Sequence, residues 1–141
     1  MPFEDITLDG TQYNNVRKNK IRDRLVNKKL KIGGTKFTLG AKSRLLERFG
    51  VIGQTDFFNQ SILVDSNITE DQTLVTILHE MIECINKKYY LSLPHDLINA
   101  LEVHLFETLT NNPVYLKELL QYAKRYSVDK EGSTEIKSRK A

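Results

Sequence analysis

The segment Leu78-His79-Glu80-Met81-Ile82-Glu83 contains an H-E-x-x-E string, residue types and a spacing that can do metal chemistry. On a helix, residues i and i+4 share a face, so His79 and Glu83 project side by side, about 40° apart around the axis. They can bind one metal ion together. Glu80 lies about 100° round from His79, where a carboxylate reaches a metal-bound water without ligating the metal. A solvated helix face can carry the same residues, since Glu is a good helix former and His is common at surfaces. Against that reading, Val75 and Ile82 lie within about 60° of His79, so apolar residues flank the polar face.

A second group of candidate ligands follows downstream. Glu102 falls on the apolar side of a helical pattern made by Ile98, Leu101, Leu105, Phe106 and Leu109. A carboxylate on a buried stripe needs a cation, a metal or several donors. His95, seven residues earlier, shares its direction to within about 20°, and Asn99 lies between them on the same side. Two antiparallel helices joined by residues 86–93 would close a site of His and carboxylate ligands suited to one zinc ion or another divalent metal. The candidate metal ligands are thus His79, Glu83, His95 and Glu102, with Glu80 as catalytic base. Four ligands would complete a tetrahedral shell, as structural zinc sites do, whereas three ligands and a water leave a catalytic position open. Two carboxylates also offset the metal's charge and weaken its pull on a bound water. His104 points roughly opposite to His95 and reads as a surface histidine.

These side chains depend on the elements that hold them. Thr69, with Gln72 three residues on, fits a capping box, and the spacing predicts a helix over about 70–88. Its Leu74, Ile77, Leu78, Met81, Cys84 and Ile85 fall within an arc of about 120° that faces a core, which makes Cys84 a poor nucleophile. A second helix begins near Pro94, with Ser92 as its candidate cap, and continues to Asn111-Asn112. Pro113 opens a third through Tyr115, Leu116, Leu119, Leu120 and Ala123. Upstream, alternating apolar runs from Leu30 to Leu39 flank Gly33-Gly34 and predict a β-hairpin. Residues 41–49 read as a loop or one short helix. Gly50-Val51-Ile52-Gly53 followed by Asp56-Phe57-Phe58 suggests a further strand, and residues 60–65 another. Ile21, Leu25 and Lys28 predict a short basic helix, while residues 1–16, with Asp9-Gly10 and Asn14-Asn15, hold turn formers with little periodicity. No period of 20 to 50 residues recurs, which excludes solenoids. The fold class is α+β: a small antiparallel or mixed sheet packed on the metal-site helix, followed by two further helices.

The 141 residues, 40% hydrophobic and 28% charged, suit a single domain over 1–128. From Asp129 onward the sequence is polar, Ile136 excepted, and residues 129–141 read as a flexible tail. The longest clear apolar run, Ile62-Leu63-Val64, falls far short of the roughly 20 residues a membrane span requires, so no membrane association is expected. The acidic start Met1-Pro2-Phe3-Glu4-Asp5 lacks a secretory pattern, and Cys84 alone cannot form an internal disulfide, so a cytoplasmic location is expected. Residues 17–31 hold eight basic residues against Asp23, a net +7, so the remainder carries −4 of the overall +3. Such a segment can follow a phosphate backbone, which keeps nucleic acid open as a partner. With only Tyr13 nearby as a stacking group, a solvated basic face is the favoured reading. Gly33-Gly34 lacks the pattern of a phosphate-binding loop.

With this order of elements, residues 32–113 resemble the zincin metallopeptidases, in particular the small ImmA/IrrE-type proteins of bacteria and their phages. The resemblance is seen in the paired strands around Ile32-Gly33-Gly34, in Gly53-Gln54-Thr55-Asp56 before the strand Ser61-Ile62-Leu63-Val64-Asp65, in Thr76-Ile77-Leu78-His79-Glu80 on a helix, and in Leu109-Thr110-Asn111-Asn112-Pro113 closing the next. It implies a zinc-dependent hydrolase that cleaves a peptide bond with metal-activated water, and a peptide or protein as substrate. It further implies that the strand before the metal-site helix is an edge that binds an extended peptide, which puts Ile62, Leu63 and Val64 on the substrate side. Family members usually read His-Glu-x-x-His, and here Glu83 stands in place of the second His. By position, His79 matches the first ligand, Glu80 the general base, and Glu102, 19 residues beyond Glu83, the downstream acidic ligand. A slightly different alignment puts Asn99 there instead. His95 would restore a second imidazole from a new position. The departure leaves an alternative open: an inactive zincin-like fold whose structural metal joins two helices in a protein- or nucleic-acid-binding accessory protein of a phage or mobile element.

Overall fold

Gly33 and Gly34 take positive φ, +56° and +88°, a backbone that suits the tight reversal between twisted antiparallel strands. They join β3 (Lys29–Ile32) to β4 (Thr35–Lys42), and Ile32 pairs with Thr35 across the turn. A computed structural model describes residues 17–132, with side chains to residue 126, and the backbone of two short paired strands, β1 (Glu4–Ile6) and β2 (Gln12–Asn14). Sequence periodicity gave no sign of β1 and β2, and the turn at Asp9-Gly10 lies outside the described residues. Between β2 and β3 runs α1 (Lys20–Leu25), the expected short basic helix. After β4 come α2 (Leu45–Phe49), β5 (Gly53–Asp56), β6 (Ser61–Asp65), α3 (Glu70–Lys88), α4 (His95–Thr110) and α5 (Pro113–Gly132). The architecture is α+β, with a mixed four-stranded sheet and five helices among the described residues.

The sheet order is β3-β4-β6-β5. β6 pairs parallel with β4, Leu39 opposite Ile62, and antiparallel with β5, Gly53 opposite Val64. Both sides of β6 are therefore taken, which corrects the expectation that Ile62, Leu63 and Val64 form an edge able to receive a peptide. Ile62 and Val64 point into the core, and the short β5 occupies the edge instead. The core is built from Ile32, Phe37 and Leu39 of the hairpin, Ile62 and Val64 of β6, Ile68 of the following turn, and Ile77 and Cys84 of α3.

The expected capping box starts α3. Thr69 Oγ1 accepts from the Gln72 N–H at 3.2 Å, and the Thr69 N–H donates to Gln72 Oε1 at 2.9 Å. The helix is rolled relative to the predicted arc. Thr73, Thr76, Ile77, Glu80 and Cys84 are buried, whereas Leu74, Leu78 and Met81 are half-buried and Ile85 is exposed. Threonine explains the difference, since its methyl packs well against a sheet although hydropathy counts it as polar. Asn19 holds the N-terminal end of α3 to α1. Its buried Nδ2 donates to Thr73 Oγ1 and to the Ile68 carbonyl, and its Oδ1 caps α1 at the Arg22 N–H.

The chain divides into two compact units, Met1–Val103 and His104–Ala141, with the boundary inside α4 and within the span read as one domain. In the second unit, Asn112 Nδ2 donates to the Thr108 carbonyl at 2.6 Å where α4 ends, and the rings of Tyr122 and Tyr126 stack 6.1 Å apart on α5. Residues 129–132, expected in a flexible tail, continue α5, and residues 133–141 lie outside the described residues. No helix among the described residues is long and apolar enough to cross a membrane.

Candidate metal centre

Asn86 sets the return of the chain from α3 to α4. Its Oδ1 accepts from the Leu93 N–H at 2.9 Å and its Nδ2 donates to the Leu93 carbonyl at 3.3 Å, closing the connection on itself. Tyr90 and Ser92 turn there with φ of 54° and 59°, so Ser92 lies ahead of Pro94 in the turn and is not the expected cap of α4. The Pro94 carbonyl accepts the Leu97 and Ile98 N–H groups, and α4 begins at His95. Ile98 is fully buried, which fixes the rotation of α4 and aims His95, Asn99 and Glu102 at α3.

The structure brings the four candidate ligands together. His79 Nε2 lies 3.3 Å from Glu83 Oε2, and His95 Nδ1 lies 3.2 Å from the same oxygen. The two imidazole rings stand edge to face with centroids 5.2 Å apart. One donor atom each from His79, Glu83 and His95 can be chosen so that all lie within 4.8 Å of one another, the span of ligands around one ion. Glu102 takes a different place. Its Oε1 lies 3.1 Å from His79 Nδ1, the ring nitrogen on the other side from Glu83. A carboxylate at that position orients the imidazole and leaves Nε2 to face an ion.

Glu80 is the most buried acid of the group, 7% exposed. Its Oε1 accepts a hydrogen bond from Thr55 Oγ1 of β5 at 2.6 Å. Burial pushes its carboxyl above the usual carboxylate range, against the Thr55 hydrogen bond, which favours the ionised form. A carboxyl raised in that way holds a proton more readily than an ordinary one, which suits a group that takes and returns protons. β5 comes close enough because residue 53 is glycine: a Cβ there would collide with Thr76 Cγ2 and stand 3.4 Å from Glu80 Oε2. Gly53-Gln54-Thr55 stood in the sequence as part of a strand, but nothing in periodicity marked Thr55 as the partner of Glu80. Cys84 is buried and its thiol is pushed up, as expected of a core cysteine.

A cavity of about 510 Å³ opens between β5, α3 and α4, with His79, Glu80, Glu83, His95, Asn99 and Glu102 on its walls. Val51, Ile52, Gly53 and Gln54 line the β5 side. Ile62, Leu63 and Val64 do not border it. His104 is exposed, as its direction suggested. In the basic segment, Arg22 is engaged in the fold, its guanidinium donating to the Arg17 and Ser66 carbonyls, and Lys29 Nζ donates to Thr38 Oγ1. Compared with protein-family models, curated proteins and solved structures, the chain gives no significant match.

Proposed function

We propose that His79, Glu83 and His95 hold one divalent metal ion, with zinc the best chemical fit, and that the protein is a zincin-like metallopeptidase acting on peptide or protein substrates. The observation that carries this reading is the convergence of two imidazoles and a carboxylate beside a buried second carboxylate in an open cavity. A His₂Glu donor set is one that catalytic zinc sites use, and it leaves a fourth position free. Glu83 replaces an imidazole at the helix spacing, and His95 supplies one from α4, so the donor chemistry is conserved while its origin shifts. When bound, such an ion supplies Lewis acidity toward a carbonyl oxygen and acidifies a water.

The chain's own groups do the rest. Thr55 holds Glu80 Oε1, which leaves Oε2 to take a proton from water and to return it to the departing amine. Glu102 keeps the His79 ring in place through Nδ1. The outer edge of β5, next to the cavity, presents backbone groups to an extended peptide, the role that the zincin resemblance implies for residues 62–64. Glu80→Gln tests the assignment. It preserves the Thr55 contact and the ligands, so zinc content stays at wild-type level while peptide hydrolysis falls at least about 100-fold. Unchanged hydrolysis in this variant would remove Glu80 from the mechanism.

A further inference from the structure

Asp71, Val75, His79 and Glu83 recur every fourth residue on α3, and all four line the cavity. They form a single stripe along the helix: a carboxylate, an apolar step, then the two candidate ligands. Asp71 lies about 12 Å from His79 along the axis, two helical repeats of four. Val51 and Ile52, just ahead of β5, line the same groove, and Val75 follows Asp71 on the stripe. The acids Asp71, Glu80, Glu83 and Glu102 line the cavity and no lysine or arginine does. With a divalent ion bound, these four carboxylates outnumber the ion's charges. The half-charge at the N-terminus of α3 does not reverse this, because Glu70 and Asp71 both sit in its first turn.

We propose that this end of the groove selects a lysine or arginine side chain of the substrate, with Val51 and Val75 against its aliphatic stem and Asp71 at its charged head. The inference takes the peptide as ligand from the peptidase reading above and adds its chemical class. The shape suits an amphipathic chain, since long cationic side chains lay their methylenes on apolar surface and keep the charge at a polar rim. An extended peptide advances about 3.3 Å per residue, so a basic residue one or two positions from the metal-side peptide bond extends its head to Asp71. The Asp71 carboxyl is held below the usual carboxylate range by the Thr69 hydroxyl, which keeps it charged for the contact. It is an open rim carboxylate, so its effect is one of selectivity.

The test is an NMR titration of the isotope-labelled full chain, metal-free and zinc-loaded, with blocked pentapeptides Ala-Ala-Lys-Ala-Ala and its norleucine counterpart. The lysine peptide is expected to bind at least about fivefold more tightly. Its shifts should centre on residues 51–55 and 71–75. Asp71→Asn, which can still accept from Thr69, should reduce the ratio below about twofold, and Asp71→Glu should retain it. Equal affinities, no binding of either peptide, or a preference untouched in Asp71→Asn would overturn the proposal. Hydrolysis followed in the zinc-loaded samples separates the two readings. Cleavage without lysine preference overturns the selectivity and keeps the peptidase; lysine-selective binding at residues 51–55 and 71–75 without cleavage does the reverse.

Discussion

His79 has a carboxylate on each side of its ring, Glu83 toward Nε2 and Glu102 toward Nδ1, and the two do different work. Glu83 shares its oxygen with His95 and faces the space where an ion fits, while Glu102 steadies the ring from behind. Glu102→Ala is therefore expected to weaken zinc affinity by about 10- to 100-fold without abolishing binding, measured by competition with a chromophoric chelator. Glu83→Ala, which removes a ligand, should abolish it. Glu80 makes a second prediction at this scale. Its folded-state carboxyl is raised by burial, so its contribution to stability is complete below the ordinary carboxylate range and is lost as pH rises through the raised value. Metal-free Glu80→Gln should then melt above the wild type near neutral pH, with the gap closing toward about pH 4, below the unfolded carboxylate range, as scanning calorimetry would show. His79, Glu80 and Glu83 were legible in the sequence because four-residue spacing on a strongly periodic helix fixes their relative directions. The separate role of Glu102 was not, since helix direction says which way a side chain points but not which ring nitrogen it meets.

At the scale of elements, β5 and α3 make the site jointly, and two residues govern their approach. Gly53 lets the strand lie against Thr76, and Gly53→Ala is expected to cost about 1–3 kcal/mol and to push Thr55 away from Glu80. Urea denaturation reads the first effect and the pH dependence of hydrolysis the second. Asn19 ties the start of α3 to α1 through buried hydrogen bonds, so Asn19→Ala should destabilise by about 1–3 kcal/mol while leaving the ligands in place. The hairpin at Gly33-Gly34 and the capping box at Thr69 could be read from sequence because each is a local rule satisfied by adjacent residues. The order of strands could not. Placing β6 inside the sheet and β5 at its edge depends on a parallel pairing with β4 across some twenty residues, which no local pattern in either segment announces. The burial of Thr73 and Thr76 escaped for a related reason: packing against a sheet, not hydropathy, decides where threonine goes.

For the whole molecule, the first unit holds the candidate metal ligands and the groove, and a ligand that binds only the folded chain must stabilise it by mass action. Free zinc at about 100 times its dissociation constant should add about 2.7 kcal/mol, seen as a higher melting temperature that the His79→Ala variant does not share. The net charge of +3 conceals the arrangement that matters, with residues 17–31 strongly basic and the cavity lined by acids. Arg22 and Lys29 of that basic segment make hydrogen bonds within the fold. The most direct test of the metal centre is elemental analysis of protein purified without added metal, beside a His79→Ala/His95→Ala double variant. The arrangement predicts about one zinc per wild-type chain and none in the variant, three protein ligands being the usual catalytic set. No metal bound or taken up by the wild type, or equal metal in both proteins, would contradict it.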